Sequence, residues 1–155
     1  MIHLAKPGES IFNSRSSAIV NPVNTVGVMG AGLAKVFAAR FPEACRPYFQ
    51  ACRERRLVLG SVLPVRVDPL ETPNFGVLWV IHFPTKAHWK NPSLFSSVDD
   101  GLVDLARFCT QQELVSIAIP ALGCGLGGLP FTQVADAVYA HMGDLACDVT
   151  LYPPG

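Results

Sequence analysis

Charge is what this sequence has least of. Asp, Glu, Lys and Arg together make up only 15% of the chain, twelve acidic residues balance twelve basic ones, and the formal net charge is zero. No basic excess advertises a nucleic-acid surface, which leaves only a local patch for that purpose. The opening MIHLAKPGESIF lacks the charged-then-apolar order of a secretory signal. Cysteine is sparse and odd in number: Cys45, Cys52, Cys109, Cys124 and Cys147 are widely spaced and form no CxxC pair. That pattern argues against a disulfide framework and against zinc-ligand spacing. His3, His82, His88 and His141 are equally scattered, so no metal site is expected. Neither a Walker A motif nor GxGxxG is present, which counts against a nucleotide-dependent oxidoreductase. The uncharged run Leu114–Ala135 has the length of a membrane span, but Pro120, Pro130, Gly123, Gly125, Gly127 and Gly128 would break such a helix. The expectation is a soluble, cytoplasmic domain.

What is present is apolar. Half of the 155 residues are hydrophobic, enough for one domain that buries roughly two-thirds of its unfolded surface. Strand and helix signals alternate. Short strands are expected near Ile2–Leu4 and Ile11–Phe12, and a strong one at Ala18–Val20. A nearly all-apolar helix from Ala31 to Arg40 should be well buried. A second helix, punctuated by Pro42 and Pro47, runs to about Arg56, with Gly60 marking its end. Ser61–Val67 and Gly76–Phe83 read as neighbouring strands. From Ser93 to Cys109, Leu94, Val98, Leu102, Leu105 and Cys109 recur at helical spacing. A strand at Val115–Ile119, a helix from Phe131 to Met142 behind Pro130, and a strand at Ala146–Tyr152 complete the chain. Strands separated by helices imply an α/β fold with a largely parallel sheet covered on both faces. The ending Pro153-Pro154-Gly155 is abrupt, as in one domain cut from a longer protein.

Both charge-free stretches end in glycine loops at the carboxyl ends of strands, where ligands of such sheets collect. The first reads Asn21-Pro22-Val23-Asn24-Thr25-Val26-Gly27-Val28-Met29-Gly30-Ala31-Gly32. Gly30 and Gly32 at a helix start allow backbone amides to approach a phosphate or ribose, and Asn21 and Asn24 suit sugar hydroxyls. Equally, the asparagines could cap turns and the glycines permit close packing. The second loop, Gly123 to Gly128, is denser in glycine than a turn requires and reads as a diphosphate cradle. Cys124 within it has no evident base and reads as a small buried filler. After the middle strand, Lys86 is a lone amine of the kind that serves as a nucleophile. His88, Trp89 and Lys90 could hold a nucleic-acid strand by stacking and phosphate contact, or form a solvated loop over a packed Trp. Arg53, Arg55, Arg56 and Glu54 read as a solvated helix end, and Asp99 and Asp100 as surface residues of which one could line the site.

In order and spacing, AIVNPVN at Ala18–Asn24, MGAGLA at Met29–Ala34 and IPALGCGLGGLPF at Ile119–Phe131 resemble the macrodomain family of ADP-ribose-binding modules. The resemblance covers nearly the whole chain and implies a single three-layer α/β/α macrodomain over residues 1–155. With FPTKAHW at Phe83–Trp89, the chain is similar to one branch, the DarG-type DNA ADP-ribosyl glycohydrolases, antitoxins that reverse modification by a DarT-type toxin. That branch is itself similar to the terminal ADP-ribose protein glycohydrolases, which use a lysine. The resemblance implies hydrolysis of ADP-ribose from thymidine bases of single-stranded DNA, with no cofactor and ADP-ribose as product or ligand. A DarT-type toxin is implied as partner, through a segment beyond this sequence.

Residue by residue, the resemblance implies that Lys86 is the catalytic lysine and that Asn24, beside the distal ribose, is the second catalytic residue. Met29, Gly30, Ala31, Gly32 and Leu33 would surround that ribose, with Asn21 and Thr85 contributing to ADP-ribose binding. Leu122, Gly123, Cys124, Gly125, Leu126 and Gly127 would cradle the diphosphate, and His88, Trp89 and Lys90 would lie near the DNA. Two departures stand out. The family's adenine-reading Asp is replaced by Ser10, with Glu9 adjacent. The Asp that the protein glycohydrolases carry after GCGL is Gly127 here, which leaves the acid–base partner of Lys86 unassigned. The alternatives are a non-catalytic ADP-ribose-binding module and an enzyme that removes ADP-ribose from protein carboxylates.

Overall fold

A computed structural model, which describes residues 1–68 and 76–155, turns the charge-poor segments into the middle of one six-stranded sheet. The strands are β1 (Ile2–Leu4), β2 (Ala18–Asn24), β3 (Leu63–Arg66), β4 (Trp79–Lys86), β5 (Ser116–Ile119) and β6 (Asp148–Leu151). Their order across the sheet is β1-β6-β5-β2-β4-β3. Every pairing is parallel except β3 with β4 at the edge. The crossovers are α1 (Gly32–Arg40), α2 (Pro42–Arg53), α3 (Phe95–Gln111) and α4 (Phe131–Met142). The sheet is therefore mixed but largely parallel, as expected for a three-layer α/β/α domain. No helix among the described residues is long and apolar enough to cross a membrane.

The period-two alternation of a strand divides the core into two halves. Ile19, Val23 and Val80 pack with Phe37, Ala44, Cys45 and Tyr48 beneath α1 and α2. Ala18, Val20, Ile81, Phe83, Ile117 and Ile119 pack with Val98, Leu102, Leu105, Val134 and Val138 beneath α3 and α4. At Gly101, α3 crosses β4 so closely that a Cβ would lie 2.8 Å from Cε1 of Phe83. Only glycine permits that approach.

Several boundaries differ from the sequence expectation, each for a physical reason. Ile11–Asn13 is a 3-10 turn instead of a strand, because the Ser10 hydroxyl accepts the Phe12 amide at 3.2 Å and starts a turn. Helix α1 is less buried than its apolar composition suggests: only Ala34 and Phe37 are fully enclosed and Val36 remains 39% exposed. Its N-terminal part walls cavities instead of entering the core. Helix α2 stops at Arg53, well before Gly60, since Arg55 itself adopts the left-handed conformation (φ 56°) and Arg56 donates back to Ala51. Leu94 precedes α3 and is exposed, whereas the remainder of the predicted stripe is buried.

The largest difference concerns β4, which continues through Pro84 to Lys86. Pairing with β3 ends at His82, so Pro84 faces no neighbour there and its missing N–H leaves no bond unmade. On β2, Pro22 likewise lies beyond the β5 pairing, which covers only Ala18 and Ile19. The sheet thus splays between β2 and β5 at its carboxyl end, and that splay opens the crevice.

Candidate active site

The loops after β2, β4 and β5 enclose a cavity of about 370 Å³, with Asn24, Val28, Gly30, Ala31, Thr85, Lys86, Trp89 and Leu126 in its wall. A neighbouring cavity of about 620 Å³ is bounded by Glu9, Ser10, Phe12, Leu33, Arg40, Gly125 and Tyr152. The two meet at the same loops: Ala31 and Leu126 belong to the first cavity, Leu33 and Gly125 to the second.

Lys86 reaches the first cavity because of a β-bulge. Asn21, Pro22 and Val23 pair in step with His82, Phe83 and Pro84, but Asn24 pairs with Lys86, which leaves Thr85 over. An extra residue re-aims the side chains that follow it. Thr25 then staples the two strand ends together: its amide and its hydroxyl both donate to the Ala87 carbonyl, at 3.3 and 3.0 Å. Lys86 is half-buried, and among the described residues no carboxylate lines its cavity.

Asn24 has a different environment from the one a free ribose contact requires. Its Oδ1 accepts from the amides of Val26, Gly27 and Val28 at 3.2, 3.1 and 3.2 Å and from the Tyr48 hydroxyl at 3.1 Å. Its Nδ2 donates to the Val28 carbonyl at 2.9 Å. One N–H of the amide remains for a ligand. The side chain lines the cavity, yet most of its hydrogen-bonding capacity shapes the loop.

Asn21 corrects the expectation of a sugar contact. It points the same way as Ile19 and Val23, is fully buried, and its Nδ2 meets Nδ1 of His82 at 3.2 Å. His82 Nε2 donates in turn to the Ala44 carbonyl at 2.9 Å, which fixes the neutral tautomer. Burial holds the His82 imidazole down to about 4 from its ordinary 6.5. The unfolded chain therefore takes a proton below pH 6.5 that the folded chain refuses until about pH 4. The expected result is full stability above pH 6.5 and a loss of about 3 kcal/mol between pH 6.5 and 4. Urea unfolding across that window, compared with His82→Phe, checks it: the pH slope should shrink by one proton in the variant.

The loop after β5 supplies bare donors. Among the described residues, the amides of Gly125, Leu126 and Gly127 have no acceptor within the protein. The N-terminus of α1 has no side-chain cap, so its first amides are free as well. Two such sets beside one crevice make an anion cradle. Leu122 and Met29, by contrast, are core residues that do not line either cavity. Gly32 and Gly123 provide the left-handed turns (φ 60° and 72°) that shape the two loops. Cys124 is only half-buried, where burial raises its thiol and its Sγ donates to the Leu122 carbonyl at 3.6 Å. It is not the enclosed filler expected.

Gly127 is fixed by packing. The Ser93 amide donates to its carbonyl at 3.0 Å, and a Cβ would collide with the Ser93 hydroxyl and lie 2.6 Å from the Gly123 carbonyl. An Asp does not fit there unless Ser93 moves. Gly127→Ala is expected to cost about 1–3 kcal/mol through overpacking and, for the ADP-ribose ligand that the sequence resemblance implies, to weaken binding about tenfold by displacing the neighbouring amides. Calorimetric titration alongside thermal unfolding checks both.

Of the three residues expected near DNA, only Trp89 lines the cavity, and it is 48% exposed. His88 stacks on its ring at 5.2 Å and the Lys90 ammonium sits 5.0 Å from the ring centre. Asp99 is tied to His141 at 2.7 Å, and neither it nor Asp100 lines a cavity of the crevice. Sequence reasoning missed Tyr48, whose one hydroxyl proton is shared between Asn24 Oδ1 and the Asn24 carbonyl, the latter at 2.8 Å. It also missed Ser93. Neither carries a motif; an aromatic in a helix and a serine before one look like core and cap.

Comparison with known proteins now decides the family, since a family model described as Macro domain matches residues 20–138. The chain belongs to the macrodomain family. A solved macrodomain of Mycobacterium tuberculosis DarG superimposes with a TM-score of 0.93 at 35% identity, covering 100% of this chain and 99% of that one. The DNA ADP-ribosyl glycohydrolase of Mycobacterium tuberculosis is 37% identical over 145 residues, 93% of this chain and 40% of that protein. A Thermosipho africanus DarTG structure in complex with ADP-ribose matches with a TM-score of 0.86 at 32% identity, over 99% of this chain and 41% of that one. This macrodomain spans about two-fifths of the length of the curated relatives it matches.

Proposed function

We propose that this macrodomain hydrolyses the bond between ADP-ribose and a thymidine base of single-stranded DNA, and so serves as the antitoxin activity against a DarT-type toxin. The observation that carries the reading is Lys86, re-aimed by the β4 bulge into a cavity that no carboxylate lines among the described residues. Its resemblance to proteins named DNA ADP-ribosyl glycohydrolase adds the substrate class.

In this reading the amides of Gly125–Gly127 and of the α1 N-terminus hold the diphosphate, and the distal ribose lies in the 370 Å³ cavity against Thr85, Trp89 and Leu126. The adenosine end takes the 620 Å³ cavity, where Glu9 and Ser10 stand. The Lys86 nitrogen attacks the anomeric carbon. As that carbon–nitrogen bond forms, the bond to the thymine nitrogen breaks and its electron pair leaves on the imide, which takes up the proton lost by the amine. Water then displaces the lysine and yields free ADP-ribose. An imide is a tolerable anionic leaving group, so a cavity without a carboxylic acid among its described residues fits the chemistry. Holding the reacting atoms in place supplies several kcal/mol more of the barrier.

Release of ADP-ribose from a thymidine-modified single-stranded oligonucleotide tests the proposal. Turnover by the wild type is the expected result. Binding of ADP-ribose without release from any DNA substrate would make the domain a reader.

A further inference from the structure

A third cavity, of about 240 Å³, also borders Lys86. Leu59, Thr85, Lys86, Ala87, Asn91 and Leu94 line it, and among the described residues it shares Thr85 and Lys86 with the 370 Å³ cavity. The lysine thus borders two spaces. We propose that this third cavity is a subsite for the base that leaves, a neutral pyrimidine, and that it sets the enzyme's choice of leaving group; the proposal rests on the reading of Lys86 as the group that acts on the anomeric carbon.

The geometry of the reaction asks for such an arrangement. A group that breaks the bond between two fragments must face both, and Lys86 does so only if the ribose occupies one cavity and the base the other. The chemistry of the wall selects the base. Apart from Lys86, the described residues of the lining are uncharged, which suits a neutral ring. Leu59 and Leu94 offer apolar surface to a flat ring. Asn91 is exposed, and its carboxamide has no partner among the described residues, so it is free to donate to a ring carbonyl of the kind that flanks an imide nitrogen.

The wall is also held in place before any ligand arrives. The Asn91 amide donates to the His88 carbonyl at 2.9 Å, and Ala87 is stapled to Thr25. Two residues beyond Asn91, the Ser93 amide holds Gly127 of the diphosphate cradle at 3.0 Å. One short segment therefore ties the base subsite to the anion cradle, and a ligand anchored at one is positioned at the other.

Two variants test the subsite, one that fills it and one that removes its hydrogen-bonding group. In the oligonucleotide assay, Leu59→Trp is expected to lower kcat/KM at least about 100-fold and Asn91→Ala about tenfold, the latter for a single lost hydrogen bond. The Kd for ADP-ribose should stay within threefold in both, since neither residue touches the other cavities. Wild-type turnover in both variants would overturn the subsite while leaving the hydrolase reading intact. If the wild type releases nothing, the hydrolase reading fails and a binding measurement decides the subsite alone. Thymidine titrated into protein saturated with ADP-ribose should shift the methyl resonances of Leu59 and Leu94, and those shifts should vanish in Leu59→Trp. Absence of the shifts in the wild type would overturn the proposal.

Discussion

Lys86→Ala is expected to abolish release of ADP-ribose from thymidine-modified DNA, by a factor on the order of 10³–10⁶, the range seen when a covalent nucleophile is deleted. The Kd for ADP-ribose should change by no more than a few-fold. The asymmetry follows from the surroundings of the lysine. It takes part in none of the ion pairs among the described residues, so its removal orphans no partner. The anion cradle is built from backbone amides of a different loop and of α1, which the substitution leaves in place. Lys86→Arg separates two roles. A guanidinium keeps the positive charge but is no nucleophile, so an inactive arginine variant points to attack by the amine, and a substantially active one points to charge stabilisation. A tenfold or larger loss of ADP-ribose affinity in Lys86→Ala would make the residue a ligand clamp.

The strands and helices that the sequence disclosed best are those whose residues see one environment throughout. Helix α4 runs from Phe131 to Met142, as Pro130 at its entrance and its apolar spacing indicated. Residues 18–20 anchor β2 because their side chains are buried on both faces of the sheet, which a continuous apolar run encodes. The end of β4 was hidden for the opposite reason. A proline ordinarily closes a strand, and Pro84 is tolerated only because β3 has already ended, a fact that belongs to the sheet and not to the local sequence.

The crevice was legible as a set of loops but not as a division of labour within them. Glycine density marked the loop whose amides are left without acceptors, yet nothing local distinguishes Leu122, sealed in the core, from Leu126, which is 84% exposed at the cavity. Asn21 and Asn24 look alike in sequence. Strand alternation sends Asn21 under α2 to His82, while the bulge and the turn bring Asn24 to the cavity wall. The third cavity was invisible because its walls, Leu59 and the Asn91–Leu94 segment, come from stretches that carry no motif and meet only once α3 has packed on β4.

The Asn24→Ala variant is expected to lose stability and ligand binding together, and this sets it apart from Lys86→Ala. Asn24 Oδ1 gathers three consecutive amides and the Tyr48 hydroxyl, and its Nδ2 holds the Val28 carbonyl. Truncation leaves those groups without their partner, in a place where the side chain is 95% enclosed (5% exposed). Tyr48 retains its bond to the Asn24 carbonyl, so only part of the network is lost. A net cost of about 2–4 kcal/mol follows from a few buried donors left unsatisfied, or a midpoint lowered by roughly 4–16 °C for a chain of this size. Freed from the asparagine, residues 26–28 should no longer hold Gly30 and Ala31 at the cavity, and ADP-ribose affinity should fall about tenfold or more. Hydrogen exchange at the amides of Val26, Gly27 and Val28 reports the loop directly and should accelerate in the variant. Were Asn24 solely a contact to the reacting ribose, turnover would fall while exchange and the midpoint stayed unchanged. Asn24→Asp sharpens the comparison. It keeps the acceptor for all three amides, which stabilise a carboxylate, but turns an oxygen toward the Val28 carbonyl. It should recover more than half of the lost stability while leaving the ribose without the remaining N–H, so that binding stays weak in a protein whose loop is once again ordered.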